Sequence, residues 1–185
     1  MLIDLTLQLT YEQLAEAINH HNPALVGHAG THFDVMDKEF PLEYTKRKAV
    51  VFDVSAVSAR DIEESDIDMS RVGKDMFVAF YVGNPEPYGT KAYYADHAQL
   101  SQKLIDKLLE KEVSIIGLDF AGVRRTPEHI PADQRCADRG VFVVENLRNL
   151  EKVLAAGGDF TACTYPLHCA GMTGLTCRVV AKINE

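Results

Sequence analysis

The chain has 185 residues and a mass of 20.5 kDa, and its 46% hydrophobic and 25% charged composition excludes a disordered or fibrous protein. Its 19 basic and 27 acidic residues give a net charge of −8, which argues against binding to nucleic acid or to an anionic membrane. The longest apolar runs are too short to span a membrane, and the N-terminus does not resemble a signal peptide. We therefore expect a cytoplasmic globular protein with a single domain over residues 1–185, since no repeat or linker interrupts the chain.

Segments with strand-like and helix-like patterns alternate along the chain. The predicted strands are apolar, β-branched or aromatic runs at 2–9, 49–54, 76–82, 113–119, 141–144, 160–167 and 175–183. The predicted helices are 10–19, with a capping box of Thr10 and Gln13, then 100–111, capped by Ser101, and 149–156, ending at a glycine pair. This pattern predicts an α/β fold, a mixed sheet with both parallel and antiparallel pairing.

Two of the seven histidines lie in a short segment that also holds a carboxylate, at His28, His32 and Asp34. Imidazole nitrogens and a carboxylate oxygen together suit Zn²⁺ or Mn²⁺. Gly30 and Thr31 disfavour a helix here, so a loop running into an extended stretch is predicted, with His32 and Asp34 on the same side. Gly30 would let the backbone turn so that His28 joins them. The alternative interpretation is two unrelated histidines.

A series of short motifs follows along nearly the whole chain. They are Asp4-Leu5-Thr6, His28-x-Gly30-Thr31-His32-x-Asp34, Asp53-Val54-Ser55, Tyr93-Tyr94-Ala95-Asp96-His97, Gly117-Leu118-Asp119, Gly140 to Leu147 and Tyr165-Pro166-Leu167. In this order they resemble the cyclase-like metal-dependent hydrolases, a family that includes bacterial kynurenine formamidase. The resemblance implies a swivelling β/β/α-type domain, a divalent metal (Zn²⁺ or Mn²⁺), and a homodimer or homotetramer.

The resemblance also implies roles for individual residues. Three positions match the family's metal ligands: His28, His32 and Asp34. Glu145 matches the family's distal acidic ligand or catalytic carboxylate. Two family histidines are replaced, by Lys38 four residues after the motif aspartate and by Asp133 twelve residues before Glu145. Members of the family with formamidase activity carry histidines at these two positions.

The replacements still allow metal chemistry. Asp133 can ligate a divalent ion through oxygen, and together with Asp34 and Glu145 it favours Mn²⁺ or a similar ion over a closed structural zinc. Lys38 is a poor replacement for histidine as a general base unless desolvation and the nearby cation lower its pKa. It could instead hold a substrate carboxylate or an oxyanion. His129, on a proline-flanked loop four residues before Asp133, is another source of an imidazole, with a plain surface loop as the alternative.

Several other polar residues near these motifs can also be interpreted from the sequence. Arg124 and Arg125 follow a predicted buried strand and could clamp a substrate carboxylate, or be exposed or paired at a dimer contact. Thr31 is expected to hydrogen-bond within the loop and to orient a metal ligand. The pair His20-His21 is interpreted as structural.

These residues predict a metal-dependent hydrolase of an amide-like C–N bond in a small molecule, in which water activated by the metal attacks the carbonyl. Glu145 or His129 would pass a proton to the departing nitrogen. The resemblance implies an N-formyl arylamine such as N-formylkynurenine as substrate, with a cyclic amide or a lactone as the alternative. Two other interpretations are a protein of this fold that binds a metal or ligand without turnover, and a dimerisation domain without metal.

Overall fold

A mixed sheet that closes on itself organises the fold. The structure is a computed structural model and describes residues 1–19, 26–84 and 86–183, so the His20-His21 pair lies outside it. The strands are β1 (Leu2–Asp4), β2 (His32–Asp34), β3 (Lys46–Asp53), β4 (Phe77–Tyr81), β5 (Ile115–Leu118), β6 (Phe142–Glu145), β7 (Asp159–Pro166) and β8 (Gly174–Lys182). The helices are α1 (Tyr11–Asn19), α2 (Lys91–Ala95), α3 (Gln102–Glu110), α4 (His129–Asp138) and α5 (Leu150–Ala155). Within the described ranges, no helix has the length and apolar character needed to cross a membrane.

The strand order is β1-β8-β2-β6-β5-β4-β3-β7, and an additional pairing of β7 with β8 closes the sheet into a barrel. Strands β3, β4, β5 and β6 are parallel neighbours, whereas β2 is antiparallel to both β6 and β8. β1 and β2 pair with different parts of β8, because β1 faces its C-terminal end and β2 its N-terminal end. The mixed α/β fold predicted from the sequence is confirmed.

The strands β3, β4, β5 and β6 each contribute to two apolar cores, because successive side chains point to opposite faces of a sheet. One core fills the barrel and includes Phe33, Val35 and Phe142. The other lies between the outer face of the sheet and the helices α3 and α4, and it includes Val143. On β2, therefore, the side chains of His32 and Asp34 point to the outer face. This alternation places polar chemistry beneath α4 while the barrel interior stays apolar.

Local sequence signals explain several helix ends. Thr10 and Gln13 bond reciprocally at the start of α1, with distances of 2.9 and 3.2 Å between side-chain oxygen and backbone nitrogen. At α3 the Ser101 hydroxyl accepts from the backbone N–H of Leu104 at 3.1 Å, which confirms the predicted cap. The apolar stripe of α3 is buried, at Leu104, Ile105, Leu108 and Leu109, whereas α1 has no buried residue.

Two predictions of local structure were wrong. The N-terminal strand ends at Asp4 rather than at Leu9, and the backbone N–H of Leu7 donates to the Thr31 hydroxyl instead of to a neighbouring strand. The segment around His129 was predicted as a loop because of its prolines, but it forms helix α4. Pro131 lies in the first turn of that helix, where a missing N–H removes no intrahelical bond.

Candidate metal centre

Strand β2 supplies the first part of a buried polar cluster. His32 and Asp34 are each only 3% exposed, and their register with β6 sets His32 opposite Glu145. The Nε2 atom of His32 lies 3.6 Å from Asp34 Oδ1 and 3.6 Å from Glu145 Oε2. The Nδ1 atom of His32 lies 3.0 Å from the Gly30 carbonyl, so Nδ1 carries a proton and Nε2 faces the carboxylates of the cluster.

The loop before β2 adds His28. The backbone turns at Gly30, as the sequence predicted, and it does so through a left-handed conformation with a φ of 68°. The Nδ1 atom of His28 lies 3.0 Å from Asp34 Oδ1, and the rings of His28 and His32 are 4.7 Å apart. Its other nitrogen, Nε2, lies 3.1 Å from the hydroxyl of Thr173, which fixes the orientation of the ring.

Helix α4 brings the remaining two residues. His129 and Asp133 are four residues apart on this helix and therefore share one face. The Nε2 atom of His129 lies 3.1 Å from Asp133 Oδ2 and 3.2 Å from Glu145 Oε1. Gly122 permits this placement, because a Cβ there would lie 2.9 Å from Cε1 of His129. The predicted set of His28, His32, Asp34, Asp133, Glu145 and His129 is thus brought together.

Unpartnered oxygens show that the cluster suits a cation. Two buried carboxylate oxygens have no hydrogen-bond partner among the described residues: Asp34 Oδ2 and Asp133 Oδ1. Burying an ionised oxygen without a partner is costly. Two sets of ligand atoms lie within 4.8 Å of one another, namely His28, His32 and Asp34, and then Asp34, His129 and Asp133. This donor set fits a divalent ion, and Asp34 belongs to both sets.

Protons balance part of the charge when no cation is bound. Burial alone would lower the pKa of His32, but Asp34 and Glu145 outweigh it and raise that pKa to about 9. Burial likewise opposes protonation of His129, whereas Asp133 and Glu145 raise its pKa to about 11. Burial raises the pKa of Glu145 and of Asp133, and the Asp34 carboxylate adds to both shifts. A divalent ion would displace these protons.

The chain matches a known family over more than half of its length. A family model described as a putative cyclase matches residues 3–124, which include β2 and the His28 to Asp34 segment. The chain belongs to the cyclase family. This confirms the resemblance found in the motifs.

Solved structures agree with membership of the cyclase family. One, described as a potential metal-dependent hydrolase with cyclase activity, has 21% identity and a TM-score of 0.72, over 100% of this chain and 98% of that chain. Isatin hydrolase A from Labrenzia aggregata, bound to benzyl benzoate, has 19% identity and a TM-score of 0.76, over 100% and 94%. A predicted metal-dependent hydrolase from Bacillus stearothermophilus has 20% identity and a TM-score of 0.67, over 98% and 97%. At these identities the likeness shows the fold. No curated protein matches the chain.

Lys38, at a position where the resemblance implies a histidine, lies outside the cluster. Its ammonium is 2.8 Å from Asp138 Oδ1 and 3.0 Å from Asp37 Oδ1. Asp138 and Asp37 raise the pKa of Lys38 above its ordinary value, which is opposite to what a general base requires. The side chain does line a cavity of about 970 Å³, so the alternative of holding a substrate anion stays a prediction.

The loop residue Thr31 is buried, and its hydrogen bonds reach beyond the loop. The Thr31 hydroxyl donates to the Asn146 carbonyl at 2.9 Å and accepts from the backbone N–H of Leu7 at 2.8 Å. It therefore links the loop to the end of β6 and to the N-terminal segment. The expected bonds within the loop are replaced by these longer-range contacts.

The two arginines differ in their surroundings. Arg124 is 9% exposed and its guanidinium bonds to Asp61 at 2.6 Å and to Glu128 at 2.8 Å. It also donates to the carbonyl of Leu100 at 2.7 Å, so its donors are engaged within the protein. Arg125 is exposed, and its backbone N–H donates to a side chain. The structure therefore gives Arg124 a structural role and leaves Arg125 facing solvent.

Because the guanidinium of Arg124 bonds to several groups within the protein, we expect its replacement to lower the stability of the fold. We expect Arg124→Ala to lower the free energy of unfolding by about 2–3 kcal/mol, because it leaves partners of a charged group unpaired. Urea denaturation measures this change, and Arg125→Ala is the control, with an expected change within about 0.5 kcal/mol. Equal effects of the two substitutions would contradict the assignment.

A cavity of about 970 Å³ lies near the metal centre, and its lining contains no residue of the cluster itself. It is lined largely by apolar side chains, among them Met36, Phe40 and Leu175, and also by Thr173. Because the Thr173 hydroxyl contacts His28, the cavity and the cluster meet at that residue. The motif analysis did not identify Thr173, since it lies far from His28 in sequence and stands outside the quoted motifs.

Gly174 lies directly against His28. A Cβ at this position would be 2.5 Å from the Cδ2 and Nε2 atoms of the imidazole, so an alanine must displace the ring. We expect Gly174→Ala to weaken Zn²⁺ binding by about 10-fold, the lower end of what disturbed ligand orientation costs. Competition with a chromophoric chelator measures the affinity. Gly73→Ala is the matched control, because its Cβ would meet no atom closer than 3.5 Å. Unchanged affinity in Gly174→Ala would argue against His28 as a ligand.

Proposed function

We propose that this protein is a metal-dependent hydrolase that cleaves an amide-like C–N bond in a small organic molecule. The observation that carries the proposal is the buried cluster, in which two carboxylate oxygens lack partners among the described residues beside three imidazoles. Unpaired buried oxygens in this number are unfavourable without a cation. Membership of the cyclase family and the similarity to solved structures described as hydrolases support the same conclusion.

The first ligand set would hold the ion. His28 offers Nδ1 and His32 offers Nε2, since the other nitrogen of each ring is engaged with Thr173 and with Gly30. Asp34 completes the set. Imidazole and carboxylate donors suit Zn²⁺ or Mn²⁺, and the additional carboxylates nearby favour Mn²⁺ or a similar ion. When bound, such an ion lowers the pKa of a water and polarises a carbonyl.

The residues of α4 and β6 would handle the proton. His129 Nε2 lies within reach of Asp133 Oδ2 and Glu145 Oε1, so a proton on that nitrogen is shared with two carboxylates. The side chain of His129 is 29% exposed, whereas those of Asp133 and Glu145 are 2% and 5% exposed. His129 is therefore suited to donate its proton to a departing nitrogen, and the two carboxylates to recharge it.

The cavity supports a substrate with an apolar body. A volume of about 970 Å³ is at the upper end of small-molecule pockets, and its lining is mostly apolar. An N-formyl arylamine places an aromatic ring in such a space and a formamide at the cluster. A cyclic amide is the second candidate, favoured by the likeness to isatin hydrolases over 98% or more of this chain.

The test combines metal analysis with a substrate panel. Protein loaded with Zn²⁺ or with Mn²⁺ is assayed against an N-formyl arylamine, isatin as the cyclic amide, and an aromatic lactone. We expect hydrolysis of at least one amide, lost after chelation and lost in His32→Ala together with the metal. Full metal occupancy in that variant would exclude the ligand set, and undiminished turnover would exclude the mechanism. Metal-loaded protein that hydrolyses none of the three would favour binding without turnover.

A further inference from the structure

The carbonyl of Gly30 is a shared acceptor at the edge of the metal centre. It accepts from Nδ1 of His32 at 3.0 Å and from the side-chain amide of Asn146 at 2.8 Å. The two donor nitrogens lie 3.4 Å apart and are directed at the same oxygen. All of this lies in the interior, because Asn146 is 2% exposed and His32 is 3% exposed. The direction of this carbonyl therefore determines the direction of the His32 ring.

Asn146 is itself held in place by three further features. Its Oδ1 accepts from the hydroxyl of Tyr93 at 2.6 Å, and the Tyr93 ring is fully buried. Its backbone carbonyl accepts from the hydroxyl of Thr31 at 2.9 Å. Its φ is 60°, a left-handed conformation that asparagine adopts more readily than most residues. This turn lets Glu145 face the cluster while the next side chain reaches back to Gly30.

We propose that Asn146, supported by Tyr93, is a positioning residue for the metal ligand His32. By donating to the Gly30 carbonyl it fixes where that oxygen accepts the Nδ1 proton of His32, and so it presents Nε2 toward Asp34 and Glu145. The proposal rests on the cation binding in the proposed function, and it is independent of which bond is hydrolysed. Partners that orient a ligating imidazole contribute about 10- to 100-fold to metal affinity in other proteins.

A purely structural role for Asn146 makes a different prediction. In that case its replacement would lower stability and leave the intrinsic metal affinity of the folded protein unchanged. Asn149 offers a matched comparison on the same segment. It too has a left-handed backbone, with a φ of 59°, and its side-chain amide donates to a backbone carbonyl, that of Asp4, at 2.7 Å. That carbonyl belongs to β1 and not to the ligand loop.

The experiment compares Asn146→Ala, Tyr93→Phe and Asn149→Ala in the full chain. Zn²⁺ affinity is measured by competition with a chromophoric chelator, and thermal unfolding is recorded in parallel. We expect about a 10-fold loss of affinity in Asn146→Ala, a smaller loss in Tyr93→Phe, and a change within about twofold in Asn149→Ala. In Zn²⁺-loaded protein with ¹⁵N-labelled histidine, the Nδ1 proton of His32 should exchange faster with water in Asn146→Ala than in Asn149→Ala.

Equal Zn²⁺ affinities and equal His32 proton exchange in Asn146→Ala and Asn149→Ala would overturn the proposal. If Asn146→Ala does not fold, Tyr93→Phe decides, because it keeps the buried ring and removes only the hydroxyl that holds the Asn146 amide. An affinity equal to that of the wild type in Tyr93→Phe would then count against the proposal. Wild-type protein that binds no Zn²⁺ would instead overturn the proposed function, which separates the two failures.

Discussion

Replacing Asp34 with asparagine is expected to remove metal binding almost completely. Asp34 is the residue common to both ligand sets, and its Oδ2 has no hydrogen-bond partner among the described residues. Asparagine keeps the shape of the side chain but loses its negative charge, and its NH2 end cannot ligate a cation. We expect the affinity for Zn²⁺ or Mn²⁺ to fall by at least about 100-fold. Replacing a residue that only orients a metal ligand lowers metal affinity by about 10- to 100-fold. Chelator competition and metal content after dialysis measure the loss.

A matched control for this substitution is Asp119→Asn. Asp119 is also buried, at 4% exposure, but its oxygens accept from the backbone N–H groups of Val82 and Gly83 instead of facing the cluster. Burial raises the pKa of Asp119 to about 6. We expect the control variant to retain the metal. Full metal content in Asp34→Asn would show that Asp34 is not a ligand.

Metal removal is expected to lower thermal stability substantially. An ion present at about 1,000 times its dissociation constant stabilises the folded state by about 4 kcal/mol. For a chain of this length each kcal/mol changes Tm by about 2–4 °C, so we expect a difference of about 10 °C between metal-loaded and chelated protein. Differential scanning calorimetry measures it, and Asp34→Asn, treated identically, should show almost no difference.

The difference in Tm should widen as the pH rises. In the chelated protein the pKa of His32 is raised to about 9 and that of His129 to about 11, both above the ordinary value of 6.5. A histidine with a raised pKa binds its proton more strongly when folded. Its stabilising effect is complete below pH 6.5 and is lost as the pH rises through the folded value. The raised pKa of Asp133 acts in the same direction.

Differential scanning calorimetry at several pH values from 6.5 to 9 therefore tests whether protons on His32 and His129 stabilise the metal-free cluster. The chelated protein should lose stability over this range, whereas the metal-loaded protein, in which the ion replaces the protons, should lose less. A Tm difference that stays constant across the range would contradict the assignment of protonated imidazoles to the metal-free cluster.

The sequence predicted the metal-binding strand well and the helix that completes the site poorly. The alternation of β2 and the turn at Gly30 follow from local rules, so His28, His32 and Asp34 converge as expected. A loop was predicted for the α4 segment because the segment contains proline. Sequence position alone does not show that Pro131 occupies a first helical turn, where proline is tolerated.

Contacts between distant segments could not be predicted from the sequence. The hydroxyl of Thr173 reaches His28 across 145 positions, and the amide of Asn146 reaches Gly30 across 116. Such contacts depend on the pairing of β2 with β8 and with β6, which no local pattern specifies. One signal was available for Asn146, since it directly follows the candidate ligand Glu145 in a quoted motif.

The alternation of side chains along β2 has a consequence for folding and for mutation. A slip of one residue in the pairing of this strand would turn His32 and Asp34 into the apolar barrel and expel Phe33. Burying the His32 and Asp34 side chains among apolar residues would cost so much free energy that the slipped register is excluded. Because chemistry and core occupy opposite sides of the strand, the metal ligands can also change without loss of barrel packing. The cyclase scaffold can therefore accept other side chains at the positions of His32 and Asp34 while it keeps its fold.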